Sequence, residues 1–236
     1  LSHFRPKLSV TGFVAKLGTA NFFNQIAMMI VQIVMNKSLT YYGSQSVYGE
    51  SIPLACAGII TKVGMVFFSI CIGLSQGMQP IVSFNYGAGN YKKVKQAYRL
   101  AAGIGTIISV IAFFAFQIFP RQLIGIFGSS QNEAYYTFAV RYFRIYMFFT
   151  FLNAIQPISS NFFTAIGKPG KGIFLSLTRQ IIFLLPLIVI FPLFLGVDGI
   201  MYAGPIADFI AAMVSMILIY KEFGKINKLE EATCES

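Results

Sequence analysis

Six apolar segments follow one another along this chain, each long enough to cross the roughly 30 Å hydrocarbon layer of a bilayer. They run over residues 8–36, 52–86, 92–119, 134–166, 172–195 and 199–220. The breaks between them, 37–50, 87–91, 120–133, 167–171 and 196–198, carry Gly, Pro or polar residues suited to leaving a helix. In hydrocarbon every backbone amide must be satisfied internally, so the pattern predicts an all-α polytopic membrane protein. Only 11% of the 236 residues are charged, against about 25% in soluble domains, which excludes a water-soluble core. The expected organisation is a single six-helix bundle over 1–236, with 121–127 a short amphipathic helix along the interface.

The chain opens on Leu1 rather than Met, which fits a piece of a longer protein. Its first residues run into more apolar sequence than a signal peptide holds, so no cleavable targeting segment is expected.

The formal charge of +10 would suit nucleic acid, but the positions of the cations point elsewhere. One set of segment ends holds Arg5, Lys7, Lys92, Lys93, Lys95, Arg99, Lys168, Lys171, Lys221, Lys225 and Lys228. The opposite loops hold Lys37 and Arg121 beside Glu50, Glu133 and Asp198. By the positive-inside rule the first set is cytoplasmic, with both termini there, and nucleic acid drops out as a partner. Arg141 and Arg144 lie near a segment end, and Lys16 and Arg179 within about two turns of one, so all four can snorkel outward.

Polar residues recur where lipid cannot serve them. Asn21, Gln25, Gln32 and Asn36 fall within about 60° of one another on the first helix. Lys62, Ser69 and Gln76 are spaced by seven on the second, where Gln79 and Pro80 follow. Tyr146, Thr150, Asn153, Ser160 and Thr164 share one side of the fourth. A single such residue is explained by an interhelical hydrogen bond. Three stripes together point to a hydrated substrate cavity. Pro80 should kink its helix, and Gly73 and Gly77, four apart, should admit a second backbone. Such features belong to a transporter rather than an anchor.

Asp208 and Lys62 lie near mid-bilayer, where a charge costs at least about 2.5 kcal/mol, so each needs a partner or a task. The two are expected to face each other or a shared hydrated pocket, with Asp208 as the candidate for ion coupling. Catalysis finds no support. His3 is the only histidine, and there is no carboxylate pair, nucleophile triad or metal cluster, so no catalytic or metal residue is assigned. Cys56, Cys71 and Cys234 lack ligand spacing and read as small hydrophobes. No cofactor is expected.

The stretch Gln76-Gly77-Met78-Gln79-Pro80, followed by Asn85-Tyr86-Gly87-Ala88, resembles the multidrug and toxic compound extrusion (MATE) family of cation-coupled antiporters, closest to its bacterial drug-export branch. Phe163-Thr164-Ala165-Ile166-Gly167-Lys168-Pro169, Arg179, Leu185-Pro186-Leu187 and Gly199 to Asp208 continue the resemblance over nearly the whole chain. It implies the C-terminal six-helix lobe of a twelve-helix transporter in a bacterial plasma membrane, partnered by the N-terminal lobe and by membrane lipids. It also implies efflux of lipophilic cationic drugs by alternating access, in exchange for sodium ions or protons. Family members that bind sodium through acidic residues on the first and fourth helices of this lobe differ from this chain, which has none there. A lipid-linked oligosaccharide or peptidoglycan-precursor flippase of the same superfamily, and a non-transporting membrane assembly subunit, are the alternatives.

Overall fold

A computed structural model describes residues 8–127 and 133–234, with side chains at 22, 25–127, 133 and 135–231. His3, Arg5 and Lys7, and the side chains of Lys16, Asn21 and Cys234, fall outside the described residues. Among the described residues every element is helical: α1 (Leu8–Ser44), α2 (Ser51–Gly87), α3 (Tyr91–Ile118), α4 (Pro120–Phe127), α5 (Glu133–Tyr146), α6 (Ile155–Ala165), α7 (Pro169–Leu177), α8 (Leu185–Leu195) and α9 (Val197–Cys234). A π-helical turn, Thr178–Leu184, joins α7 to α8 without a break in the chain's winding.

Four uninterrupted stretches are long and apolar enough to cross a membrane: Ser51–Gly87, Tyr91–Ile118, Pro169–Leu195 and Val197–Glu231. The fourth apolar segment of the sequence does not stay whole. It divides into α5 and α6 around a turn at 147–154 containing one 3-10 turn, Thr150–Leu152. Pro157 is the cause, because it lacks an amide and its ring collides with the carbonyl four residues earlier. Thr150 caps part of the damage by donating its hydroxyl to the Met147 carbonyl at 2.7 Å.

Three boundaries differ from the sequence expectation. α1 continues to Ser44 rather than stopping at 36, the fifth segment starts at Pro169 rather than 172, and α9 runs past Tyr220 to Cys234. The 38 residues of α9 span about 57 Å, well beyond one hydrocarbon layer. Its last turns therefore leave the apolar zone and account for Lys221, Glu222, Lys225 and Lys228. Gly196, at φ 58°, makes the one-residue corner between α8 and α9 that a side chain would strain.

α2 packs against α1, α3, α5 and α6, and α9 against α5, α6, α8 and the π-turn. Tyr142, Phe138, Phe143, Phe162 and Phe163 are fully buried where these helices meet. Close approach is made at glycines other than those expected. A Cβ on Gly105 would stand 2.6 Å from Ile158, and one on Gly172 2.6 Å from the Ser160 carbonyl. Around Gly73 and Gly77 there is open space out to 4 Å, because both lie on an exposed face of α2.

The end of the bundle that gathers the cations is cross-linked by carboxylates. Glu222, 1% exposed, accepts from both Lys168 and Lys171, the latter at 2.5 Å. Lys95 on α3 bonds Glu230 at 2.5 Å and Asn227 at 2.7 Å on α9. These bonds hold the α6–α7 corner and the start of α3 against the extension of α9.

Candidate functional site

Two of the last three apolar segments depart from regular helix in their middle, and the third carries a proline there. α5 and α6 are separated by the turn before Pro157, and α7 and α8 by the π-turn before Pro186. α9 keeps its winding but contains Pro205. Proline removes one donor and obstructs one carbonyl at each place, and π-turns and broken helices in membranes are tolerated where protein or a cavity re-satisfies the backbone.

The ionised groups of the interior collect at these irregularities. Arg179, on the first turn of the π-helical stretch, donates from Nε to Asp208 Oδ1 at 2.6 Å. Asn153, in the turn between α5 and α6, donates from Nδ2 to Asp208 Oδ2 at 2.9 Å. The two side chains of the ion pair are 16% and 4% exposed. The Arg179 guanidinium also lies over the Phe68 ring of α2, 5.1 Å from its centroid. Tyr146, at the end of α5, lays its ring against Gly204, one turn before Asp208.

A buried ion pair of this kind gains little net stability, since desolvating both charges offsets their attraction. Breaking it on one side is costly, because the remaining charge is stranded. The sequence expectation had Asp208 and Lys62 facing each other or a shared hydrated pocket, and the structure corrects the first alternative by giving Asp208 a different ion-pair partner, Arg179. Lys62 is exposed and makes no ion pair among the described residues, whereas Arg179, placed where it could snorkel outward, points inward. An inward arginine is what a carboxylate one helix away can hold and lipid cannot.

A model of the MatE family matches residues 20–190. The chain belongs to the MatE family. Curated relatives include the multidrug export protein MepA of Staphylococcus aureus, 24% identical over 92% of this chain, and that of Staphylococcus saprophyticus, 26% identical over 93%. In both cases the match covers 46% of the relative. An outward-facing multidrug resistance MATE transporter of the MOP superfamily superposes with a TM-score of 0.84 at 20% identity, covering 97% of this chain and 50% of its own. A MOP superfamily transporter from Pyrococcus furiosus superposes with a TM-score of 0.83 at 19% identity, over 96% of this chain and 50% of its own. The chain spans about half the length of the relatives it matches, so its fold is that of one half of a MATE transporter.

Within this MatE lobe the expected polar stripes have different fates. The fourth-segment stripe is mostly spent inside. Asn153 and Tyr146 join the Asp208 cluster, Thr150 is buried on its own backbone, and Ser160 bonds Gly172 and Ser176 of α7. The α1 and α2 stripes remain on the surface. Gln25 and Gln32 are exposed, and Gln32 donates to Asn36 within the helix at 3.0 Å. Lys62, Ser69, Gln76 and Pro80 are exposed on α2, with Gln79 half-buried beside them. Pro80 lies inside a helix that continues to Gly87.

Proposed function

We propose that this chain forms one lobe of a MATE-type antiporter that expels lipophilic, cationic drugs in exchange for an inward-moving proton or sodium ion. The observation that carries the reading is the buried Arg179–Asp208–Asn153 cluster, which joins α9 to the irregular stretches of two neighbouring segments. Cation binding at Asp208 would free Arg179, and the π-turn and the α5–α6 turn supply backbone that can change register as it leaves. Coupling requires such an element, whose two states bind the ion with different affinity. The exposed face of α2, with Lys62, Ser69, Gln76 and the small Gly73 and Gly77, supports a cleft wall turned toward a second lobe. The multidrug export for which the MepA relatives are named supports drugs as the substrates.

In this reading the lobe sits in a bacterial plasma membrane with its cation-rich end in the cytoplasm. Its partner is a second six-helix lobe, and the two rock about a midplane site. Arg179, one of the two cations that a flippase for lipid pyrophosphates would use here, is already neutralised by Asp208.

The test is ethidium extrusion from efflux-deficient bacteria expressing the complete reading frame, with sodium and proton gradients collapsed separately. Extrusion should require one gradient and fall at least tenfold in Asp208→Asn at equal membrane levels. Gradient-independent behaviour, or full extrusion by the variant, would remove the cluster from coupling. An absence of extrusion by the parent at normal membrane levels would favour the flippase.

A further inference from the structure

At the end of the bundle opposite the α9 C-terminus, α3, α4 and α5 enclose an open cavity of about 700 Å³ lined by Arg121, Arg141 and Arg144 with Glu133. Beside it lies an apolar groove of about 300 Å³ between α3, α5 and α9, lined by Phe148, Phe149, Tyr202, Pro205 and Ile206. Arg144 and Ile145 line both, so a guanidinium stands where the polar cavity meets the apolar groove.

We propose that this pair of cavities is a binding site for one anionic phospholipid, with its phosphodiester among the three arginines and an acyl chain in the groove. The arginines are not equally engaged by protein. Arg141 bonds Asp198 at 2.7 Å, and Arg121 stacks over the Tyr136 ring at 5.1 Å, which leaves its N–H edges free. The Arg144 side chain has no partner among the described residues; only its carbonyl is used, accepting from Gln117. A planar guanidinium matches a phosphate in bidentate fashion and is at ease beside aromatic rings. Three guanidiniums against Glu133 and Asp198 leave the cavity net positive, which selects an anionic headgroup over a zwitterionic one.

The groove supplies the second half of the ligand. Its walls are apolar and exposed along the side of the bundle, with Phe148 50% and Tyr202 39% exposed, as expected where a lipid chain lies. Among the described residues none of α1 or α2 lines either cavity, so the site is separate from the polar face assigned to the transport cleft. The lipid is therefore a resident one rather than cargo. Its groove ends at Pro205 and Ile206, within one turn of Asp208, so occupancy would brace α9 beside the ion pair.

The test is native mass spectrometry of the protein expressed with its complete reading frame, titrated in detergent with phosphatidylglycerol or phosphatidylcholine of equal chain length. The first phosphatidylglycerol should bind at least tenfold tighter than phosphatidylcholine. That preference should vanish in the double variant Arg121→Gln/Arg144→Gln and persist in Lys93→Gln at the other end. Ile206→Trp, which fills the groove and leaves every arginine in place, should weaken phosphatidylglycerol by a similar factor, and it decides the matter if the arginine variant does not fold. Equal affinity for the two lipids, or unchanged binding in Ile206→Trp, would overturn the proposal. Displacement by glycerol 3-phosphate at the concentration of the lipid would also overturn it, showing a site for free phosphate esters.

Discussion

The ring of Tyr146 occupies the space a side chain would need at Gly204: a Cβ there would stand 2.4, 2.7 and 2.9 Å from three of its carbons. The contact fixes the end of α5 against α9 one turn from Asp208. Gly204→Ala should therefore push the ring out and cost about 1–3 kcal/mol in overpacking. Combined with Tyr146→Ala it should cost clearly less than the sum of the two single changes, because the clash is absent once the ring is gone and only a cavity remains. Thermal unfolding of the two single variants and the double variant measures this, and simple additivity would show that the two residues do not meet.

The Arg179–Asp208 pair makes a comparable prediction about charge. Arg179→Gln or Asp208→Asn alone strands a buried charge and should destabilise the lobe by about 3–5 kcal/mol. The double variant should cost clearly less than the sum, since neither charge is then left unpaired. Denaturation midpoints across this double-mutant cycle supply the readout, and a coupling energy near zero would mean that the pair is not formed in the membrane.

Much of this architecture can be read from the chain because lipid imposes harsh rules. Apolar length located four stretches that are helical and long enough to cross a membrane, and Lys95, Lys168 and Lys171 of the basic ends meet carboxylates near the end of α9. Asp208 could be singled out because a mid-bilayer carboxylate needs a partner. Its partner could not be chosen, because depth favours Lys62 at mid-bilayer over Arg179, about two turns from a segment end, and only helix packing turns Arg179 inward. Two signals were available and weigh more than depth. Pro157 and Pro186 each mark a local departure from helix, close to Asn153 and Arg179 in the chain, and such departures in a membrane must face protein or water. Glu222 was hidden differently. It lies two residues beyond the expected end of the last span, so it reads as solvated tail until α9 is seen to continue and bring it to Lys168 and Lys171.

The α2 face separates packing from function most directly. Gly77 has nothing within 4 Å of a would-be Cβ, so Gly77→Leu has room, and its helix propensity improves by about 0.8 kcal/mol or slightly less. Membrane levels and the unfolding temperature of the lobe should therefore be unchanged or slightly raised. If this face borders the transport cleft beside Gln76, the added side chain should nevertheless cut ethidium extrusion by about an order of magnitude, equivalent to about 1.4 kcal/mol on the limiting step. Extrusion by Gly77→Leu in everted vesicles, normalised to protein level, checks both halves at once. Wild-type extrusion with wild-type stability would place this face against lipid and leave α1 as the remaining wall for the cleft.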